Sequence, residues 1–463
     1  MFVGREMELD SLNKSFDKGI FQFPVIYGRR RVGKTTLINE FCKDKKCIYF
    51  VALQSTAKEN LEILSAQILA ALAPDAPKNP FPSFREAIDY VFARSKEEQF
   101  IFAIDEYPYL AKSDKSTSSV IQAAIDKHQT DSKLFLILCG SSMSFMEKQV
   151  LGYKSPLYGR RTSQFKLQPF DYLVSARMLS SFSNEDRILL YSVTGGIPEY
   201  LSRIDGKLSA KENIRSLFFD TSGRLFEEPE NLLKQELRIP ETYNAIITAV
   251  ADGSSRLNEI ATKVGIETSQ CSKMLSNLIS LGLVKKEHPV TEKSSRKTIY
   301  LLSDWMFVFW YRFVKPELSR ITMGLGKRAC DEVFVEQINS HVGHAFEECA
   351  KQYLWRLLIE NSFPISFKTL GRWWGNNPKE KREEEIDFIA FTGAKAVFGE
   401  CKWRNAVVGE EVLNDLVRKS ELFPTFSEKL YVLFSKAGYT DALKSRAARD
   451  NHIILIGLDE MFL

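Results

Sequence analysis

The chain has 463 residues, 44% hydrophobic and 26% charged, with a formal net charge of +4. At roughly 100–200 residues per domain, that length makes room for two to four domains of ordinary globular composition. So small a net charge gives no whole-chain signal of nucleic-acid binding, and any basic surface must be local.

The first third alternates short apolar runs with helical spacing. Phe23-Pro-Val-Ile-Tyr27 reads as a strand ending in glycine, and Lys34 to Phe41 as the helix after it. Cys47 to Ala52, Phe100 to Ile104 and Leu134 to Cys139 read as further strands, with an amphipathic helix from Asn60 to Leu72. Uninterrupted apolar strands bounded by turn signals suit a parallel sheet buried on both faces, hence a doubly wound α/β domain. From Asp171 to Leu225 the pattern is helical and reads as a lid.

Next come three helix candidates, Thr242 to Val250, Ser255 to Gly265 and Thr268 to Leu281. Two strands follow, at Gly282 to Glu287 and Lys297 to Leu302, around the basic loop Lys293-Ser-Ser-Arg-Lys297. That is the winged-helix order. Trp305 to Lys315 is strongly aromatic and reads as a buried packing helix, with base stacking as the alternative. A last α/β unit runs to Leu463. The expected division is a 1–165 α/β core, 166–230 lid, 236–303 winged helix, 304–340 helical connector and 341–463 C-terminal domain.

Gly28-Arg-Arg-Arg-Val-Gly33-Lys34-Thr35 satisfies GxxxxGK[ST] between a strand and a helix. Its glycines let backbone N–H groups face phosphate oxygens, and the helix adds its positive end. The expected nucleotide-binding set is Gly28, Arg29, Arg30, Arg31, Val32, Gly33, Lys34, Thr35 and Thr36. Lys34 is expected to bridge phosphates and Thr35 to bind Mg²⁺. Asp105 and Glu106 end an apolar strand, Asp105 expected to hold the Mg²⁺ and Glu106 to activate water. Ser141 or Ser142 is a candidate γ-phosphate sensor, and Arg160-Arg161 a candidate arginine finger.

No apolar run is long enough to span a bilayer, and the start of the chain lacks a signal-peptide pattern. The seven cysteines are scattered, without a CxxC, which argues against a disulfide framework or a zinc site. The expectation is a reduced, cytoplasmic protein.

These residues resemble the prokaryotic AAA+-related ATPases close to the STAND group. Phe2-Val-Gly-Arg-Glu6 looks like their N-terminal signature near the adenine, Ile-Asp105-Glu106-Tyr their acidic motif, and Gly195-Gly196-Ile-Pro198-Glu-Tyr200 their lid motif. The resemblance implies ATP as the nucleotide. Gly371-Arg-Trp-Trp-Gly375, Glu385-Ile-Asp387 and Phe398-Gly-Glu400-Cys-Lys402-Trp403 look like the DUF234 domain fused to such ATPases.

Ile386 to Phe391 and Ala396 to Lys402 read as a hairpin with a turn at Gly393. Alternation puts Glu400 and Lys402 on one strand face, and the hairpin can bring Asp387 to the same edge. Two carboxylates suit Mg²⁺, and a lysine beside them can position water for phosphodiester hydrolysis. The set resembles the PD-(D/E)xK nucleases, with Glu347 on a preceding helix as an added carboxylate. The resemblance implies a restriction-endonuclease-like α/β domain. His341 and His344 share a helix face without a third ligand and read as structural or solvated, and Lys381 to Glu385 as a solvated loop.

Ser269, Gln270, Ser272 and Lys273 of the third winged-helix helix can hydrogen-bond bases or phosphates, although such modules also contact proteins. Two functions compete. One is an ATP-controlled DNA-binding nuclease. The other is an ATP-dependent regulatory switch whose nuclease-like domain only binds nucleic acid or protein. Self-association into homo-oligomers fits either.

Overall fold

The structure is a computed structural model describing residues 2–75, 77, 79–292 and 297–463. Lys293, Ser294, Ser295 and Arg296 of the expected basic loop lie outside the described residues. The chain divides into two compact units. One is Met1–Pro169 with Ile197–Glu199, the other Phe170–Gly196 with Tyr200–Leu463.

The first unit is built on a five-stranded parallel sheet. Its strands are β1 (Pro24–Tyr27), β2 (Cys47–Val51), β3 (Ile101–Asp105), β4 (Phe135–Gly140) and β5 (Ser163–Lys166), in the order β2-β3-β4-β1-β5. Every residue of β1, β3 and β4 is buried, as their unbroken apolar sequences require. β5 is the edge strand, paired with β1 among the described residues, and alternates in exposure. Its polar sequence, Ser-Gln-Phe-Lys, carries no apolar run, so it was not among the expected strands. The Phe84–Arg94 helix was also not expected; Ser83 caps it by accepting the Glu86 N–H.

The second unit opens with the helices expected as a lid, Tyr172–Met178, Asn184–Thr194 and Ala210–Phe218. Helices Pro240–Ala251, Leu257–Val264 and Thr268–Ser280 follow, then the antiparallel pair β6 (Val284–Glu287) and β7 (Ile299–Leu302). The aromatic stretch is helical and its Phe309, Trp310, Tyr311 and Phe313 are buried, which removes base stacking as its role. The Trp310 indole N–H donates to the Phe226 carbonyl at 2.6 Å. His341 is a buried structural residue, its Nε2 2.8 Å from the Ser192 carbonyl oxygen and its ring against Trp305, Phe309 and Phe313. His344 is exposed.

The chain ends in a mixed sheet of β8 (Thr369–Asn377), β9 (Arg382–Thr392), β10 (Lys395–Lys402), β11 (Glu428–Ser435) and β12 (Ile453–Gly457), ordered β12-β11-β10-β9-β8. β8, β9 and β10 pair antiparallel, and β10, β11 and β12 parallel. Most of the charge run expected as a solvated loop belongs to β9. Glu384 is buried there because Arg418 and Arg382 donate to it at 2.9 and 3.0 Å. Val290, three residues after β6, rests on the β8 edge. The Val290 N–H donates to the Arg372 carbonyl at 3.0 Å, and a side chain at Gly371 would meet Val290.

Candidate functional site

The phosphate loop leaves the buried end of β1 and turns into the Lys34–Cys42 helix. Arg31 and Gly33 have left-handed backbone, φ 71 and 89. Alternating hands along a loop turn successive N–H groups to one side, which makes an anion-binding concavity. Gly28 is required for another reason, since a Cβ there would lie 2.5 Å from the Leu167 carbonyl oxygen. Arg29 and Val32 are buried, whereas Thr35 and Thr36 are exposed on the first helical turn. The Lys34 ammonium is buried and donates to the carbonyls of Gly28 and Arg29, both at 2.9 Å. Burial pushes its pKa down against the opposing pull of Glu106 and Asp105.

β3 delivers Asp105 to the helix start. Thr35 Oγ1 donates to Asp105 Oδ2 at 3.0 Å, and Tyr49 Oη donates to the same oxygen at 2.5 Å. Asp105 Oδ1 accepts the Glu106 N–H at 2.8 Å. Glu106 is left-handed at φ 50, a conformation that costs a non-glycine residue about 1–3 kcal/mol and persists where the surroundings fix it. Its carboxylate is held by Ser141, whose hydroxyl lies 3.0 Å from both oxygens. Arg30 Nη1 stands 4.0 Å from Glu106, and Arg30 also donates to the Tyr109 hydroxyl at 2.9 Å. Of the two serines considered, Ser141 is therefore the one tied to the acidic pair. Arg160 is engaged elsewhere, with two 2.7 Å bonds to Asp126.

A further anchor holds the loop. Arg5, from the N-terminal signature, is buried and donates to the carbonyls of Val32 at 3.0 Å and Gln168 at 2.5 Å. Pro198 of the Gly-Gly-Ile-Pro motif would lie 3.9 Å from a Cβ placed on Gly33. Tyr49 was missed by sequence reasoning. Its signal was a phenol on the face of β2 that alternation shares with Asp105 on β3, given the Val51–Asp105 pairing.

In the C-terminal sheet, Gly399 pairs with Phe388, so Asp387 meets Glu400 where β9 and β10 part. Asp387 Oδ2 accepts the Cys401 N–H at 2.7 Å. Lys402 Nζ lies 2.6 Å from Glu400 Oε1, and Lys419, which the sequence reading did not pick out, stands 4.0 Å from Glu400 Oε2. Burial, then the charges of Glu400 and Glu347, push the Asp387 carboxyl well above the usual carboxylate range. Burial lowers the Lys402 pKa, but Glu400, Asp387 and Cys401 together outweigh it and the net shift is upward. Glu347 is carried by the Ile338–Ile359 helix, 3.6 Å from His344 Nδ1. Among the described residues, no three His, Cys, Asp or Glu side chains are grouped so that they could hold a metal ion.

On the Thr268–Ser280 helix, Ser269, Gln270 and Lys273 are exposed and Ser272 is half-buried. No helix among the described residues is long and apolar enough to cross a membrane.

A parallel sheet with a phosphate loop on β1 and an acidic pair on β3 defines a Walker-type ATPase domain. Residues 2–204 match the family described as an ATPase domain predominantly from Archaea, and residues 310–415 match DUF234, described as archaeal and bacterial proteins of unknown function. The chain belongs to this family of archaeal-type P-loop ATPases with a C-terminal DUF234 domain. It is 33% identical over 442 residues to the uncharacterized protein MJECL04 of Methanocaldococcus jannaschii, covering 94% of this chain and 96% of that one. The uncharacterized ATP-binding protein MJ0423 of the same organism is 46% identical over 46 residues, 10% of this chain and 78% of its own length. The Walker-type ATPase paby2304 of Pyrococcus abyssi is similar in fold, with a TM-score of 0.52 at 21% identity over 67% of this chain and 96% of that one.

Proposed function

We propose that the chain is an ATP-controlled DNA-binding nuclease, in which the ATPase site governs a hydrolytic site at Asp387, Glu400 and Lys402. Bound Mg·ATP supplies the phosphoanhydride and a cation that neutralises its charge. The oxygen donors Thr35 and Asp105, already joined by a 3.0 Å hydrogen bond, suit that cation. Lys34 holds phosphate oxygens, and Glu106, oriented by Ser141, takes a proton from the attacking water.

The crowding of Asp387 carries the nuclease reading. Two other carboxylates press on its buried carboxyl, a charge balance that an oxygen-seeking divalent cation would relieve. Asp387 and Glu400 would hold it between them, without Glu347 as a third ligand in this arrangement, and it would supply Lewis-acid stabilisation of a phosphodiester. Lys402 orients the water. Exposed Ser269, Gln270 and Lys273 support contact with DNA through the Thr268–Ser280 helix.

Incubation of the full chain with plasmid, Mg²⁺ and ATP tests this. Nicking or cleavage is expected, abolished by Lys402→Ala with ATP hydrolysis intact. A Lys402→Ala protein that cuts like the wild type would sink the assignment. The 2.6 Å Lys402–Glu400 ion pair supports a second reading, a switch whose C-terminal domain binds without cutting. In that case the wild type leaves plasmid intact, and sizing runs with and without ATP differ through assembly or partner binding.

A further inference from the structure

The seven cysteines fall into two groups. Cys139, Cys271, Cys330, Cys349 and Cys401 are buried, while Cys42 and Cys47 are half-buried. Cys42 closes the phosphate-loop helix and Cys47 opens β2. The residues between them are Lys43, Asp44, Lys45 and Lys46, so the turn is basic. The two sulfurs lie 3.0 Å apart, with the Cys47 thiol donating to the Cys42 sulfur. Lys45 is fixed beside them by its bond to the Phe41 carbonyl at 2.9 Å.

We propose that Cys42 and Cys47 form a reactive dithiol, which a small-molecule disulfide of the glutathione class converts to an intramolecular disulfide. Cys42 is the attacking sulfur. The hydrogen bond from Cys47, aided by the charge of Lys45, outweighs burial and draws the Cys42 thiol toward ionisation. That same bond pushes the Cys47 thiol upward. Low-pKa, accessible thiols in electropositive surroundings react, and apolar buried ones do not.

In the first step the Cys42 thiolate attacks one sulfur of the small disulfide, whose S–S bond breaks and releases one thiolate. In the second, Cys47 gives up its proton and attacks the Cys42 sulfur of the mixed disulfide, expelling the second small thiol. Two protein thiols are oxidised and one small disulfide is reduced to two thiols, so no further oxidant enters. The new bond ties the helix that carries Thr35 to the strand that carries Tyr49.

Oxidised glutathione added to the native full-length protein tests the site. After alkylation, the wild type is expected to have lost two hydrogens in mass, with the link mapped to Cys42 and Cys47 and reversed by dithiothreitol. Cys47→Ser is expected to retain one glutathione on Cys42. Cys42→Ser is expected to react at least tenfold more slowly at Cys47. Both thiols remaining alkylatable in the wild type, or a link through any of the five buried cysteines, would overturn the site. Equal glutathione uptake by the two variants would overturn Cys42 as the attacking sulfur.

Discussion

At the scale of single residues, the Thr35–Asp105 corner, proposed above to hold magnesium, is fixed by a group outside the phosphate-loop motif. Asp105 Oδ2 accepts from both Thr35 and Tyr49. Partners that orient metal-binding carboxylates typically matter by 10–100-fold in metal affinity. Tyr49→Phe keeps the ring and removes the donor. Its half-saturating Mg²⁺ for ATP hydrolysis should rise by about tenfold, with kcat at saturating Mg²⁺ retained. An unchanged Mg²⁺ titration would leave Tyr49 a packing residue. Asp387 shows the opposite balance. Its pKa rises on folding above the ordinary 3.8, so the folded state holds that proton more tightly than the unfolded chain. The stability this gives is present at low pH and lost as pH rises through the folded pKa. Asp387→Asn keeps an oxygen for the Cys401 N–H and carries no charge. In metal-free buffer its Tm should exceed the wild type at neutral pH, and the difference should shrink as pH falls toward 3.8. A difference independent of pH would show that charge crowding is not its cause.

At the scale of elements, the β9–β10 pair brings the acidic residues together through one tight contact. A Cβ on Gly399 would lie 1.7 Å from the Phe388 ring, so the ring covers the space a side chain would need. Overpacking of this kind typically costs 1–3 kcal/mol, and Gly399→Ala should destabilise the second unit by about 3 kcal/mol in urea unfolding. Combining it with Phe388→Ala should cost less than the sum of the two changes. Strict additivity would mean that the ring moves aside freely. How far the elements were legible follows from the same local chemistry. The buried strands β1, β3 and β4 announce themselves as apolar runs, and the phosphate loop and Asp105-Glu106 as fixed spacings. β5 does not, because it is the edge strand beside β1 and keeps polar side chains. Glu384 misled because its carboxylate is paired with Arg418, 34 residues away in sequence. The end of β4 marks Ser141 as a site candidate, but its bond to Glu106 and the role of Tyr49 appear only when neighbouring strands set them beside the acidic pair.

At the scale of the whole molecule, two compact units each bury their own apolar side chains. Heating should therefore resolve two transitions, since cooperativity follows the core that melts. A ligand that binds only a folded site stabilises it by about 2.7 kcal/mol at 100 times its dissociation constant. Mg·ATP should raise the transition of the first unit, which contains Lys34, Thr35 and Asp105, and Lys34→Ala should abolish that rise. The second transition discriminates between the functional readings. If ATP governs the site at Asp387, part of its binding energy must be spent on a difference in the second unit, because a ligand shifts an equilibrium only by its differential affinity for the two states. The second transition should then move with ATP in the wild type and stay fixed in Lys34→Ala. A second transition that ignores ATP while the first responds would mean that nucleotide binding does no work on the C-terminal domain. Any cleavage would then proceed at the same rate with and without ATP.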